Sequence, residues 1–357
     1  MELQMKAELV CPECQGGIKF EAENLLSVCM KCSRSWGFKQ GIPSFAEQEY
    51  YWNQIEKSEM NQLLQVANEK GYQEALETCL LPKTNEHTYG YALNESRGDF
   101  RFLLSHDRKS RVLDIGCGWG SVTSSLARTF GEVVAADTNI DTLQFLRIRA
   151  RQEQLSNIDL VHIEPLDKAA LPFSDGYFDV VVLNGVLEWT GMAVNDKSPD
   201  AYQTDALREI KRILNKGGKL YIGIENRIGF QYFFGARDEH SETRFTNLMP
   251  RRIADLYMRL KNKGGYRTYT YTMFGYQALL SRAGYGRIQF YLPVRTYRDP
   301  EYIIPLQDQG IVNYYLKNCI PRRSFKHQIV YVMTRVLSVL GLFKYFVPGY
   351  SIVAEPT

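Results

Sequence analysis

Short apolar runs alternate with amphipathic segments between residues 111 and 226, and this alternation restricts the fold more than any other feature of the sequence. The apolar runs are RVLDIG, EVVAAD, DLVHIEP, FDVVVLNG and KLYIGIEN. The segments between them carry apolar residues at helical spacing, as at Leu207, Ile210 and Leu214. Strands that alternate with helices imply right-handed crossovers and a parallel, doubly wound sheet. The sequence therefore predicts an α/β protein.

Acids and amides stand at the carboxyl ends of the predicted strands. They are Asp114, Asp137, Glu164, Asn184 and Glu225. Because ligands of doubly wound sheets bind beyond these ends, we expect the five side chains around one crevice. The first strand runs into the turn GCGWG, which is not G-x-G-x-x-G, so the dinucleotide fingerprint is absent. Asp137 follows Asp114 by 23 residues and is placed to accept both hydroxyls of a ribose.

Four motifs in this segment carry a family resemblance. They are VLDIGCGWG, VVAAD, LPFSDGYFDVVVLNGVLEW and EIKRILNKGGKLYIGIEN. In this order they resemble class I S-adenosylmethionine-dependent methyltransferases, although many relatives have His or Tyr where Trp189 stands. The resemblance implies a Rossmann-like fold with a seven-stranded, mostly parallel sheet, inserted helical elements, and S-adenosylmethionine as the cofactor.

The resemblance also implies which residues bind that cofactor. Those expected at the methionine amino and carboxylate groups are Asp114, Gly116, Cys117 and Gly118. Gly120 is expected to allow close packing of the following helix. Those expected at the ribose and the adenine are Asp137, Thr138, Asp167 and Lys168, and Asn184 is expected beneath the methionine end.

Two CxxC pairs near the start of the chain indicate a metal site. Cys11, Cys14, Cys29 and Cys32 are spaced C-x2-C-x14-C-x2-C, as in closed tetrahedral zinc sites. A segment of about 40 residues buries too little core to fold alone, so the zinc is expected to be structural. The stretch that ends in GIPSF resembles the zinc ribbons that accompany methyltransferases. Metal-ligand spacing rather than a disulfide framework also fits a reducing cytoplasm.

The acceptor side is expected in an insertion at 227–263, after the fifth strand. Asp238, Glu239 and His240 together offer a candidate general base there, with His240 the preferred residue and Glu225 and Glu188 as alternatives. Arg237 and Arg244 are candidates for holding a phosphate or carboxylate. Aromatic residues of the same stretch are too apolar for a free surface and are expected to pack: Phe230, Tyr232, Phe233, Phe234 and Phe245.

The motifs YALNESRGDFRFLL and IENRIGFQYFFGARDEH resemble bacterial methyltransferases found with glycosyltransferases in surface-polysaccharide pathways. This resemblance implies O-methylation of a sugar or of a glycolipid or polysaccharide intermediate. An RNA methyltransferase with a zinc-ribbon recognition domain is the alternative, but a net charge of +3 without a long basic stripe makes nucleic acid the less favoured partner. A non-catalytic cofactor-binding scaffold is the third hypothesis, and the intact cofactor motifs speak against it.

The predicted organisation has five parts. They are a zinc ribbon at 1–45, a helical linker or lid at 46–108, the methyltransferase domain at 109–298, an insertion in the last hairpin at 299–348 and the final strand at 349–357. The apolar tract at 325–348 is too interrupted by charges and proline to span a bilayer. We expect it to pack inside the protein, or else to contact the inner face of the membrane from the cytoplasm.

Overall fold

The computed structural model describes residues 6–21, 26–51, 53–104, 107–168, 170–320 and 325–357. The strands are β1 Ile18–Glu21, β2 Leu26–Cys29, β3 Ser35–Lys39, β4 Ile42–Pro43, β5 Arg111–Ile115, β6 Glu132–Asp137, β7 Ile158–His162, β8 Phe178–Asn184, β9 Leu214–Glu225, β10 Tyr285–Thr296, β11 Asp299–Pro305 and β12 Gly349–Pro356. The helices are α1 Lys57–Glu69, α2 Tyr72–Ala75, α3 Glu86–Leu93, α4 Ser121–Ala127, α5 Ile140–Gln152, α6 Pro199–Ile213, α7 Phe230–Phe233, α8 Arg251–Leu260, α9 Met273–Ala283, α10 Gln309–Asn318, α11 Phe325–Val339 and α12 Phe343–Phe346.

The first four strands form a small antiparallel sheet in sequence order. Its register pairs Ile18 with Cys29 and Leu26 with Gly37. One backbone turn precedes β1, where the N–H of Gln15 donates to the carbonyl of Cys11, and another connects β2 to β3, where the N–H of Ser33 donates to that of Cys29. Each turn brings one CxxC pair together.

The large sheet has the strand order β11-β10-β12-β9-β8-β5-β6-β7. β5 pairs in parallel with β6 and β8, and β6 pairs in parallel with β7, whereas β10 and β11 are antiparallel. The predicted Rossmann-like, mostly parallel sheet is confirmed, but the predicted count of seven strands is wrong. The eighth strand is β11, at the edge of the sheet.

The sequence of β11 explains why it was not predicted. Its residues, DPEYIIP, hold two prolines and two acids, and only Pro300 and Ile304 among them are buried. Proline lacks the N–H that a central strand donates, and it is tolerated at sheet edges. The pattern therefore indicates a loop, although the chain turns after Thr296 and pairs Asp299 with it.

Two compact units are found by the contacts within the chain. The first covers Met1–Leu183, Arg208–Leu220 and Pro356, and the second covers Asn184–Leu207, Tyr221–Glu355 and Thr357. In the first unit, β6 is buried from Val133 to Ala136, as expected of a strand covered on both faces. In the second, Tyr276 and Leu280 of α9 are fully buried. Each unit therefore has a core of its own.

The helical segment after the small sheet packs within the first unit. The apolar face of α1 is formed by Met60, Leu63 and Ala67, which recur at helical spacing and are fully buried. They belong to a cluster with Trp119 of the glycine turn and Phe145 of α5. This segment is therefore part of the scaffold beside that turn.

Candidate functional site

The turn after β5 has the backbone that its glycines suggest. Gly116, Gly118 and Gly120 have φ values of +70°, +49° and +78°, a region that favours glycine. The N–H of Gly118 donates to Asp137 Oδ2 at 2.8 Å, and the N–H of Gly116 donates to the carbonyl of Ala136 at 2.8 Å. The turn is therefore fixed to the carboxyl end of β6.

Gly120 is favoured by its positive φ, and α5 lies close to it. A Cβ atom at this position would lie 2.3 Å from Leu146 Cδ1 on α5. This close approach agrees with the packing role that was expected for Gly120. The glycine lets α4 begin directly after the turn.

The two acids at the ends of β5 and β6 are buried and oriented. Asp114 Oδ2 accepts a hydrogen bond from the Thr123 hydroxyl at 2.6 Å, and burial raises the pKa of Asp114 to about 7 although this bond opposes the shift. Asp137 Oδ1 accepts from the N–H of Asn139 at 2.9 Å. Burial also raises the pKa of Asp137, and its backbone N–H donors oppose the rise.

Arg97 is a candidate cofactor residue that the sequence reasoning missed. Its side chain is buried, its Nη1 donates to the Ser121 hydroxyl at 2.9 Å, and its guanidinium lies 3.5 Å from the ring centroid of Tyr91. Its Nε has no hydrogen-bond partner among the described residues. A buried guanidinium with an unused donor, next to the first turn of α4, suits a carboxylate. The signal in the sequence was the motif YALNESRGDFRFLL, but no spacing rule connects it to the glycine turn.

The segment expected at the adenine forms a network with residues that follow the small sheet. Glu164 Oε2 accepts from the Tyr50 hydroxyl at 2.9 Å, and Glu164 Oε1 accepts from the N–H of Glu47 at 2.6 Å. Lys168 Nζ donates to the Tyr50 hydroxyl at 2.8 Å and lies 3.4 Å from Glu164 Oε2. Lys168 is thus held by two partners, while neighbouring Asp167 is half-buried. Tyr50 is 118 residues from Lys168, so its participation was not predictable from spacing.

The four cysteines are close enough to share one metal ion. Their sulfur atoms lie within 4.8 Å of one another, with Cys11 and Cys32 at 3.8 Å and Cys14 and Cys29 at 3.5 Å. Tetrahedral ligands about 2.3 Å from zinc are separated by about 3.8 Å, so the sulfurs fit that ion. The N–H groups of Cys32 and Lys31 donate to Cys29 Sγ and lower the pKa of this thiol. The geometry is compatible with the predicted zinc ribbon.

A second group of polar side chains is buried in the second unit, and we call it the carboxylate–imidazole cluster: Glu188, Glu225, Asp238 and His240. His240 Nε2 lies 3.5 Å from Glu188 Oε1 and 3.9 Å from Glu225 Oε2. On the other side of the ring, Nδ1 lies 3.3 Å from Asp238 Oδ1. The His240 side chain is 2% exposed and Glu188 is fully buried, so water has little access to these contacts.

The elements of the second unit fix each member of the cluster. Glu188 lies in the short 3-10 helix that follows β8, and Glu225 is the last residue of β9. Asp238 is held by the Ser241 hydroxyl, which donates to its Oδ2 at 2.7 Å. The ring of Trp189 packs 5.0 Å from that of His240 at 70°. Trp189 therefore forms one wall of the cluster.

Several buried polar atoms of this unit have no hydrogen-bond partner among the described residues. They are both carboxylate oxygens of Glu188, Glu225 Oε2, His240 Nε2 and both amide atoms of Asn184. Leaving such a group unpaired in the interior costs about 1–3 kcal/mol. Buried polar groups are usually paired in native proteins, so this set points to a ligand.

The charge state of His240 bears on its predicted role. Burial lowers the pKa of His240, but Asp238, Glu188 and Glu225 outweigh this effect and raise it to about 11. In this arrangement the imidazole is a cation at neutral pH and has no lone pair for a further proton. The general-base role of His240 therefore stays a prediction, and this geometry does not favour it.

The other predicted acceptor-side residues lie outside the cluster. Glu239 is half-exposed and pairs with Arg298. Arg237 and Arg244 face each other through a short antiparallel backbone bridge, and both are exposed. The expectation that the aromatic residues of this stretch pack is wrong for three of them. Phe233, Phe234 and Phe245 are exposed by 53%, 67% and 45%, whereas Tyr232 is buried. Short turns surround α7 and leave one face of it in solvent.

The comparison with known protein families matches the segment that contains the glycine turn. Residues 113–222 match the family model described as a methyltransferase domain. The chain carries an S-adenosylmethionine-dependent methyltransferase domain. The match includes the glycine turn, Asp137, Asn184 and Glu188. It ends before Glu225, so most of the carboxylate–imidazole cluster lies beyond the matched residues.

Curated relatives of this methyltransferase domain include two ubiquinone/menaquinone biosynthesis C-methyltransferases. The one from Pectobacterium atrosepticum is 33% identical over 118 residues, which are 32% of this chain and 42% of the relative. The one from Vibrio vulnificus is 34% identical over 115 residues, which are 31% of this chain and 40% of the relative. The chain thus spans about two-fifths of the length of the curated relatives it matches.

Two solved structures that this chain matches have low sequence identities and low TM-scores. One is phosphoethanolamine N-methyltransferase 2 of Haemonchus contortus in complex with S-adenosyl-L-methionine. Its sequence identity is 14% and its TM-score is 0.42, and the match covers 83% of this chain and 60% of that protein's chain. The YcgJ protein of Bacillus subtilis is 13% identical with a TM-score of 0.40 and covers 73% of this chain and 98% of its own.

Removal of the Asp137 carboxylate tests the predicted cofactor site. We expect Asp137→Ala to weaken S-adenosylmethionine binding by about 1.5–3 kcal/mol, the usual contribution of a hydrogen bond to a charged group. Isothermal titration calorimetry measures the change, with Asp175→Ala as the control because Asp175 is an exposed acid of the same unit. Equal affinities of parent and Asp137→Ala would mean that the ribose is held elsewhere.

Proposed function

We propose that the protein transfers the methyl group of S-adenosylmethionine to an oxygen of a hydroxylated acceptor, a sugar or a glycolipid or polysaccharide intermediate. The transfer is supported by the glycine turn, which is fixed to Asp137 at the end of β6. In the reaction the acceptor oxygen attacks the methyl carbon, the bond from that carbon to sulfur breaks, and S-adenosylhomocysteine leaves. The hydroxyl proton must also be lost, so polar groups are needed near the acceptor oxygen.

The carboxylate–imidazole cluster supports a polar acceptor. Asn184 and Glu225 end strands β8 and β9, and ligands of doubly wound sheets bind beyond such strand ends. The unpaired atoms of Glu188, Asn184 and His240 are suited to hydroxyl groups, which both donate and accept. The relatives named as C-methyltransferases match about a third of this chain, so their acceptor does not carry over to residues 225–240.

An exposed apolar stripe on α11 supports an acceptor that is linked to lipid. Ile329, Val332, Val336 and Val339 recur at helical spacing and are exposed by 47%, 58%, 52% and 79%. No helix in the described part of the chain is long and apolar enough to cross a bilayer. A stripe of this kind is suited to lie in the headgroup region of a membrane, and we propose that α11 does so.

A methyl-transfer assay tests the proposal. The protein is incubated with S-adenosylmethionine labelled in the methyl group, and with cell-envelope glycans, lipid-linked glycans in anionic vesicles, or total RNA. We expect label in the glycans, faster transfer to the vesicle-bound acceptor, and loss of that advantage in the double variant Val332→Asp, Val336→Asp. Label in RNA alone, or none in any fraction while the cofactor binds, would contradict the proposed acceptor.

A further inference from the structure

We propose that Glu188, Glu225 and His240 bind one divalent metal ion, separate from the zinc expected at the four cysteines. One nitrogen and two carboxylate oxygens of these residues lie within 4.8 Å of one another. Nitrogen and oxygen ligands about 2.1 Å from an ion in tetrahedral geometry are separated by about 3.4 Å. The observed 3.5 Å and 3.9 Å from His240 Nε2 to the two glutamates are close to that spacing. An ion bound between them would displace the proton of His240 Nε2, because a histidine that binds a metal is neutral.

The atoms that face this position are those left without hydrogen bonds. Glu188 is fully buried, and neither of its oxygens has a hydrogen-bond partner among the described residues. The same holds for Glu225 Oε2 and His240 Nε2, whose side chains are 8% and 2% exposed. A buried carboxylate oxygen without a hydrogen bond is expensive in a protein interior, and coordination of a cation is one of the few ways to satisfy it.

The remaining atoms of the same residues are held as metal ligands usually are. His240 Nδ1 is placed to donate to Asp238 Oδ1, which is itself fixed through Oδ2 by the Ser241 hydroxyl. A histidine whose second nitrogen bonds a carboxylate is the common arrangement behind metal-binding imidazoles. Glu225 Oε1 accepts from the Tyr297 hydroxyl and from Arg298 Nη2, both at 2.7 Å, which leaves Oε2 for an ion.

The donor set also indicates the chemistry of the site. Two carboxylates and one imidazole suit Mn²⁺, Fe²⁺ or Zn²⁺. For Mn²⁺ they are better ligands than the four thiolates are. Three protein ligands leave coordination positions open. If the proposed function is correct, an ion held by these three residues would polarise an acceptor hydroxyl and lower its pKa, which would ease loss of the hydroxyl proton as the oxygen–methyl bond forms and the sulfur–methyl bond breaks.

Mn²⁺ binding to the full-length protein tests the site without using catalytic activity. The protein is dialysed against a chelator until one zinc per chain remains, and it is then titrated with Mn²⁺ while the electron paramagnetic resonance signal of free Mn²⁺ is followed. Mn²⁺ prefers oxygen and nitrogen ligands, so the four cysteines do not compete for it. We expect one Mn²⁺ per chain, and an affinity about 10–100-fold lower in Asp238→Asn, the range for partners behind a ligand.

Ligand and control variants complete this experiment. Glu188→Gln and His240→Ala should lower the Mn²⁺ affinity at least as much as Asp238→Asn. Glu242→Gln should not change it, because Glu242 is an exposed acid of the same loop that pairs with Lys263. Near-ultraviolet circular dichroism and cofactor calorimetry verify that each variant is folded. Parent protein that binds no Mn²⁺, or binding that survives in Glu188→Gln and His240→Ala, would overturn the inference. Label transfer to glycans in the absence of such binding would leave the proposed function intact.

Discussion

Replacement of His240 by alanine is expected to lower the rate of methyl transfer by about 10²–10³-fold, the range for removing one group that stabilises charge on a reacting oxygen. His240 is the member of the cluster that contacts all three carboxylates, at 3.3, 3.5 and 3.9 Å. Without His240, Glu188 and Glu225 have no partner in common. The proposed metal ion, to which the acceptor oxygen would bind, then has only two protein ligands. The cofactor affinity should stay unchanged, because the expected cofactor residues, Asp137 and the glycine turn, do not include His240.

The rate is measured with labelled cofactor at saturating glycan acceptor and is divided by the concentration of folded protein. His87→Ala is the matched control, since His87 is an exposed histidine on α3. A His240→Ala variant that is less stable but equally fast per folded molecule would show that His240 only packs against Trp189. The prediction would then be wrong.

The part of the fold that could be predicted is the part in which one local pattern decides the structure. The strands β5, β6 and β8 are continuous apolar runs, and the helices α4 to α6 have one apolar face, so both were visible in the sequence. β11 was not, because two prolines obscure its pattern. It forms because β10 offers it an edge, which is a property of the tertiary structure.

The candidate sites divide in the same way. The CxxC pairs and the glycine turn are contiguous motifs, and the structure brings their residues together as expected. Contact between Glu188 and His240 depends on the path of 51 intervening residues, which no periodicity encodes. Sequence reasoning grouped His240 with its neighbours Asp238 and Glu239. In the structure Asp238 contacts the imidazole, whereas Glu239 pairs with Arg298.

Removal of the zinc is expected to unfold the small sheet and to leave the large one intact. Structural zinc contributes about 10–16 kcal/mol of apparent binding free energy to folding in small domains. The strands β1 to β4 are two to five residues long, so they cannot fold without that contribution. We expect Cys29→Ser to abolish zinc binding and to open residues 6–45 to proteases, while the buried strands β5 and β6 keep their core.

The Cys29→Ser change should also weaken cofactor binding, through the side chain of Ile42. This side chain is 2% exposed and packs in a cluster with Cys117 of the glycine turn and Leu143 and Leu146 of α5. Its loss from the cluster removes about 1.5–3 kcal/mol of apolar burial beside the turn. The Cys29→Ser variant should therefore bind S-adenosylmethionine more weakly as well as lose zinc. Elemental analysis, limited proteolysis and calorimetry measure the three effects, with Cys319→Ser as the control because Cys319 is exposed and outside the small sheet. A zinc content that is unchanged in Cys29→Ser would contradict the site, and cofactor affinity unchanged after zinc loss would mean that the glycine turn does not depend on Ile42.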